Sequence, residues 1–128
     1  MKKLTTAEEQ IMQVLWKKEK AFVKDILPEL PADPKTGKKP AYNTVSTIVR
    51  ILESKGFVAH NAYGKTHEYY PLVDKDKYSN MFLKSFISSY FSGSFEKMVS
   101  FFVKQNDMDV QEMEELMKLL EEENQKEK

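Results

Sequence analysis

Asn43, Ser46, Thr47 and Arg50 recur at i, i+3, i+4 and i+7, the spacing that gathers side chains on one face of an α-helix. An ordinary solvated helix face favours Glu and Lys in i,i+4 pairs. Three short hydrogen-bonding side chains and one planar guanidinium suit the base edges and phosphate oxygens of a nucleic acid instead. Val45, Ile48, Val49 and Leu52 repeat the same spacing two residues later, which at about 100° per residue places them nearly opposite. Residues 41–55 therefore predict a helix with one buried and one free face. Tyr42 and Thr44 in its first turn, and Lys65 further on, complete the candidate DNA-contacting set.

Other chemistry is sparse. The chain has no cysteine, so disulfides, thiolate metal sites and cysteine nucleophiles are excluded. With four glycines and two histidines in the whole chain, no phosphate-cradling loop, nucleophile with its base or carboxylate pair stands out. Neither a catalytic residue nor a cofactor is expected. His60 and His67 are a conceivable metal pair, but no third ligand stands at sensible spacing, so they read as packed or surface histidines and no metal site is expected.

The formal net charge is zero, yet it divides unevenly. Residues 1–70 hold twelve Lys+Arg against eight Asp+Glu, and residues 71–128 hold eight against twelve. Within 35–65, six basic residues face the single acid Glu53. Local rather than total charge sets phosphate attraction, so a basic module joined to an acidic one fits nucleic-acid binding by the first half. The N-terminal MKKLTTAEE lacks an apolar h-region and no apolar run is long enough to cross a bilayer. A cytoplasmic protein without membrane insertion is expected.

The elements that must position these residues follow from local signals. Thr5 followed by Glu8 has capping-box spacing, and Ala7, Ile11, Met12, Val14 and Leu15 then form a broad apolar face, so a first helix covers 4–18. The lone Trp16 beside that face reads as core. Residues 21–30 carry Val23, Ile26, Leu27 and Leu30 on one helical face, with Pro28 kinking the helix or delaying its start. Three prolines and a glycine make 31–40 a loop, whose Lys35, Lys38 and Lys39 read most simply as solvating charges and more sharply as a phosphate-touching arm. Gly56 stands where a helix C′ glycine belongs. Residues 57–63 and 66–72, aromatic and β-branched around Gly64-Lys65, predict a hairpin in which Tyr63 pairs with Thr66 and His60 with Tyr69.

From Asp74 the composition changes to helical segments broken at Ser92-Gly93-Ser94 and Asn106-Asp107, the last capped by Asp109 with Glu112. Phe82, Phe86, Phe95, Met98, Val99 and Phe102, with Met113, Leu116, Met117 and Leu120 on the last helix, are more apolar surface than an isolated helical pair can bury. A second copy of the chain is the simplest cover, and folding back on the first module is the alternative. The expected organisation is mostly α with a small β-hairpin: a winged helix-turn-helix DNA-binding domain over 1–72 and a helical dimerisation domain over 73–128.

Leu4-Thr5, Ala7-Glu8, Ile11-Met12, Leu15-Trp16, Thr44-Val45 with Thr47, Leu52 with Lys55-Gly56, Gly64, Tyr69 with Pro71, Gly93-Ser94, Met98-Val99 and Glu114 to Leu116 stand in an order and spacing that resembles the penicillinase-repressor family of winged-helix transcriptional repressors (BlaI/MecI/CopY type). The resemblance implies a homodimer binding a palindromic DNA operator, in a β-lactam-resistance or related inducible regulon, with a sensor-linked protease as a partner. Three features depart from the family. The 31–40 loop is longer than usual, and the copper-binding cysteines of one branch are absent. The Asn-Phe pair cleaved in the protease-induced members aligns with Phe101-Phe102, the candidate cleavage bond, where Phe101 is more simply explained as core. The competing reading is a winged-helix protein-interaction module without specific DNA binding.

Overall fold

The computed structural model describes residues 3–126, with side chains through 119; the side chain of Leu120 lies outside the described residues. In order, the elements are α1 (Thr6–Lys18), β1 (Ala21–Phe22), α2 (Val23–Ile26) with a 3-10 turn at Leu27–Glu29, α3 (Tyr42–Ser54), β2 (Val58–Tyr63), β3 (Thr66–Pro71), α4 (Lys75–Phe91), α5 (Phe95–Gln105) and α6 (Val110–Lys126). They form two compact units, Met1–Phe82 and Leu83–Lys128.

The first unit packs helices against a three-stranded antiparallel sheet of order β1-β3-β2. Tyr63 opposes Thr66 and His60 opposes Tyr69, the hairpin register expected from the turn. Between β2 and β3, Gly64 has φ +65° and Lys65 does not share the positive φ, the pattern of a II′ turn, whose twist matches the flanking strands. Residues 21–30 are not one helix. Ala21 and Phe22 pair with Tyr69 and Glu68 as a third strand, and only Val23–Ile26 is α-helical before the 3-10 turn takes in Pro28. Proline sits where its missing N–H costs no α-helical bond.

Ile11, Met12, Leu15, Ile26, Val45, Val49, Leu52, Phe57 and Val58 are fully buried in the core. Trp16 packs against it and its Nε1 donates to the Val73 carbonyl at 2.8 Å. Ala7, expected on the buried face of α1, is exposed, while Glu8 is buried at 4% exposure. The unit runs beyond the Leu72 boundary read from the sequence because Tyr78 of α4 enters this core. Its ring packs 6.0 Å from Phe57, and its hydroxyl accepts the Leu4 N–H at 3.1 Å. Phe82, expected in a dimer contact, is partly buried against the same core.

Glu8 closes the capping box of α1, accepting the Thr5 N–H at 2.8 Å. Its two carboxylate oxygens also accept from Lys55 Nζ, at 2.9 and 2.7 Å. Lys55 is the C-cap residue of α3, so one carboxylate ties the start of α1 to the end of α3. Burial pushes the Glu8 carboxyl up, but hydrogen bonds from Lys55 and Thr5 together with the Lys55 charge outweigh it, and the group titrates below its ordinary value.

Removing Lys55 strands a buried carboxylate, so Lys55→Met should cost about 3 kcal/mol in urea unfolding at neutral pH. Because the folded-state value of Glu8 is lowered, its contribution is complete above the unfolded carboxylate range and disappears as pH falls through the folded value. Wild-type stability should therefore drop more steeply between about pH 5 and pH 3 than that of Glu8→Gln. Parallel declines would exclude Glu8 as a source of acid sensitivity.

Candidate nucleic-acid interface

The organising helix divides its faces as its spacing demands. Val45, Val49 and Leu52 are fully buried and Ile48 packs against the core, whereas Tyr42, Asn43, Thr44, Thr47 and Arg50 are exposed and Ser46 is half-buried. Its end is fixed by a Schellman arrangement. The Phe57 N–H bonds the Leu52 carbonyl, the Gly56 N–H bonds the Glu53 carbonyl, and Gly56 takes φ +84°. Phe57 and Leu52, both in the core, supply the apolar contact that accompanies this motif.

The start of α3 is finished differently. Ala41 at the N-cap provides no side-chain hydrogen bond and the first turn holds no acid. The first amide N–H groups and the positive end of the helix dipole are therefore left without an anionic side chain, an arrangement suited to phosphate. Along the free face, Arg50 Nη2 donates to Ser46 Oγ at 3.2 Å and the Thr47 hydroxyl donates to the Asn43 carbonyl at 2.9 Å. These are exposed, local bonds that a base edge or phosphate can replace without stranding a buried group.

Beside this face lies a recess of about 470 Å³, walled by Asn43, Ser46 and Arg50 of α3, by Lys65, Thr66 and His67 of the wing, and by Phe22 and Lys24. Of the seven candidate DNA-contacting residues, Tyr42, Asn43, Ser46 and Arg50 of α3 and Lys65 of the wing line this recess, whereas Thr44 and Thr47, also on α3, do not. The recess also contains residues that pattern reasoning missed. Phe22 packs 6.0 Å from Tyr63 near the wing tip, and the exposed Lys24 follows it on α2. Their one sequence signal is the short β-prone run 21–23, hidden within a helical apolar pattern. His60 and His67 stack at 4.0 Å with planes 7° apart, and His60 Nδ1 meets Glu53 Oε2 at 2.6 Å. Face-to-face rings do not converge on a common ion, and no group of three metal-ligand side chains occurs among the described residues. Beneath them, burial raises the Tyr69 hydroxyl, the Glu53 charge adds to the effect, and Arg50 opposes it.

Three helices, a three-stranded sheet and an outward-facing third helix flanked by a β-hairpin define a winged helix-turn-helix. The penicillinase repressor family model matches residues 4–122, and the chain belongs to that family, one of transcriptional repressors rather than enzymes. The methicillin resistance regulatory protein MecI of Staphylococcus aureus (strain N315) is 29% identical over 117 residues, covering 91% of this chain and 92% of that protein. The penicillinase repressor of Bacillus licheniformis is 28% identical over 119 residues, covering 93% and 90%. Among solved structures, the hsRosR-S4 complex shares the fold at a TM-score of 0.52, with 20% identity over 83% of this chain and 90% of that chain. The solution structure of the DNA-binding domain of the repressor BlaI is 27% identical, with a TM-score of 0.48, over 61% of this chain and 94% of that chain.

Because the outward face of α3 carries no core contact, Asn43→Ala/Arg50→Ala should leave thermal unfolding within about 0.5 kcal/mol of wild type. Gly56→Ala, which forces a Cβ into the left-handed region, should cost about 1–2 kcal/mol. Calorimetry on the three proteins checks both.

Proposed function

We propose that the chain is a homodimeric repressor in which each protomer lays α3 in the major groove of one half of a palindromic operator. Asn43, Ser46, Thr47 and Arg50 read bases there, Tyr42 and Thr44 contact the duplex from the first turn, and Lys65 holds phosphate from the wing. The observation that carries this reading is the free face of α3, polar and nearly acid-free, set opposite a stripe in which Val45, Val49 and Leu52 are fully buried. The names of the relatives support it, as does the excess of basic residues in 35–65. A cytoplasmic location follows from the DNA target; among the described residues no helix is long and apolar enough to cross a membrane.

Pairing of two chains is assigned to the second unit. Ile87 is its one buried residue among those with described side chains. Phe86, Phe95, Phe102, Met113 and Met117 are exposed, and Met98, Val99 and Leu116 are half-buried. An amphipathic helical unit with so little interior needs a further surface to cover it, and a second copy supplies that surface symmetrically. Phe101, read from the sequence as core, is 53% exposed and Phe102 is 50% exposed. Their shared bond lies inside α5, so cleavage by a sensor-linked protease requires that turn to open first.

Gel shifts with sheared genomic DNA test the reading. Retention that weakens steeply with salt is expected, and a protein without retention at low salt is not a DNA-binding repressor. Arg50→Ala should lose about 1–3 kcal/mol if its guanidinium reads a guanine. In sedimentation at micromolar concentration the wild type should be a dimer and Phe102→Glu a monomer, because the new carboxylate would be buried unpaired. A wild-type monomer would refute the pairing.

A further inference from the structure

The 31–40 loop is longer than a turn between two helices requires, and it is built. The Asp33 N–H bonds the Lys38 carbonyl at 2.8 Å and the Gly37 N–H bonds the Asp33 carbonyl at 2.7 Å. The Asp33 carboxylate accepts the Lys35 N–H at 2.7 Å, and the Thr36 hydroxyl accepts the Lys38 N–H at 3.2 Å. Gly37 closes the bend at φ +70°. Lys39 Nζ ties the loop to its base by donating to the Pro28 carbonyl at 2.7 Å. The loop's single carboxylate thus serves the loop's own backbone. Among the described residues Lys35 and Lys38 are exposed and no acid lies within ion-pairing distance of either. A loop closed by four internal bonds, tied to Pro28 by a fifth and stiffened by three prolines has already lost much of its freedom, so an anion bound by its lysines faces little ordering cost.

The loop also has a fixed address, since Pro40 leads into Ala41, the N-cap of α3. Lys38 precedes Tyr42 by four residues, so their Cα atoms are separated by at most about 14 Å. That matches the ~12 Å width of a major groove, whose rims are the two phosphate backbones. A duplex that receives the first turn of α3 therefore has phosphates at a distance Lys38 can span, and Asp33, bonded to both Lys38 and Lys35, keeps Lys35 beside it.

We propose that the 31–40 loop is a second, sequence-independent DNA contact, in which Lys35 and Lys38 bind backbone phosphates flanking the bases that face α3. This rests on the DNA-binding function proposed above. The contact adds affinity equally for every sequence and lengthens the stretch of duplex each protomer occupies.

The test uses full-length protein and fluorescence anisotropy, with a duplex selected from genomic fragments retained by the wild type, titrated between 50 and 200 mM NaCl. Each lost phosphate contact flattens the slope of log K against log salt by about 0.9. Lys35→Gln/Lys38→Gln should therefore flatten it by about 1.8 per bound chain and weaken selected and random duplexes by the same factor. Trimming the flanks of the selected duplex should weaken the wild type and leave the double variant unaffected. Lys84→Gln/Lys97→Gln removes the same charge from the second unit and should keep the wild-type slope. An unchanged slope in the loop variant, or an equal flattening in the second-unit control, overturns the loop contact while DNA binding stands. A wild type that retains no genomic fragment overturns both.

Discussion

The bond on which the first unit depends is the one between Glu8 and Lys55. A buried carboxylate is costly unless its lone pairs are filled, and here they are filled from two directions, by the amide that opens α1 and by the ammonium that ends α3. The same contact therefore sets where α1 begins and how the far end of α3 is held. Immediately after it, Gly56 turns the chain and Phe57 enters the core, so the sheet starts from a fixed point. An isolated surface pair would contribute little. This one matters because breaking it leaves a charge with nowhere to go.

Holding α3 at its C-terminal end leaves its other end free. At the C-terminal end the Leu52 and Glu53 carbonyls and the Lys55 N–H are bonded and the side chains are packed or paired, whereas at Ala41 no side chain caps the first amides. A helix anchored in this asymmetric way presents a rigid, positively polarised tip. Rigidity and exposure usually conflict, and they coexist here because the anchor lies about three turns from the exposed end. The second unit follows the reverse logic, with well-formed helices and almost no interior among its described side chains.

Much of this was legible in the sequence. The two stripes of α3, the capping box, the C′ glycine, the hairpin register and the helix breaks after Phe91 and Gln105 all follow from spacings of a few residues. Local periodicity carries no information about distant partners, and there the reading fell short. Ala7 and Glu8 exchanged places between core and surface because only the fold brings Lys55 beside Glu8. Ala21 and Phe22 looked helical because Val23, Ile26 and Leu27 continue their apolar pattern, whereas tertiary pairing with β3 decided the matter. Tyr78 sits in a helix that reads as part of the second half, and its role as the lid of the Phe57 core rests on contacts with both Leu4 and Trp16. Of the α3 side chains expected to face outward, Asn43, Thr47 and Arg50 are exposed and Ser46 is half-buried, while Phe22 of β1 and Lys24 of α2, which line the same recess, carried no signal that the helical pattern did not hide.

The two-residue strand β1 has a consequence for the order in which the chain assembles. The β2–β3 hairpin closes through a two-residue turn, a local event on the microsecond scale, whereas Ala21 must find Tyr69 from the other end of the unit. The entropy of closing so large a loop has to be spent before that ladder returns anything. The hairpin therefore folds first and serves as the template on which β1 docks, and with only two residues of pairing β1 is the strand that detaches first when the unit begins to open.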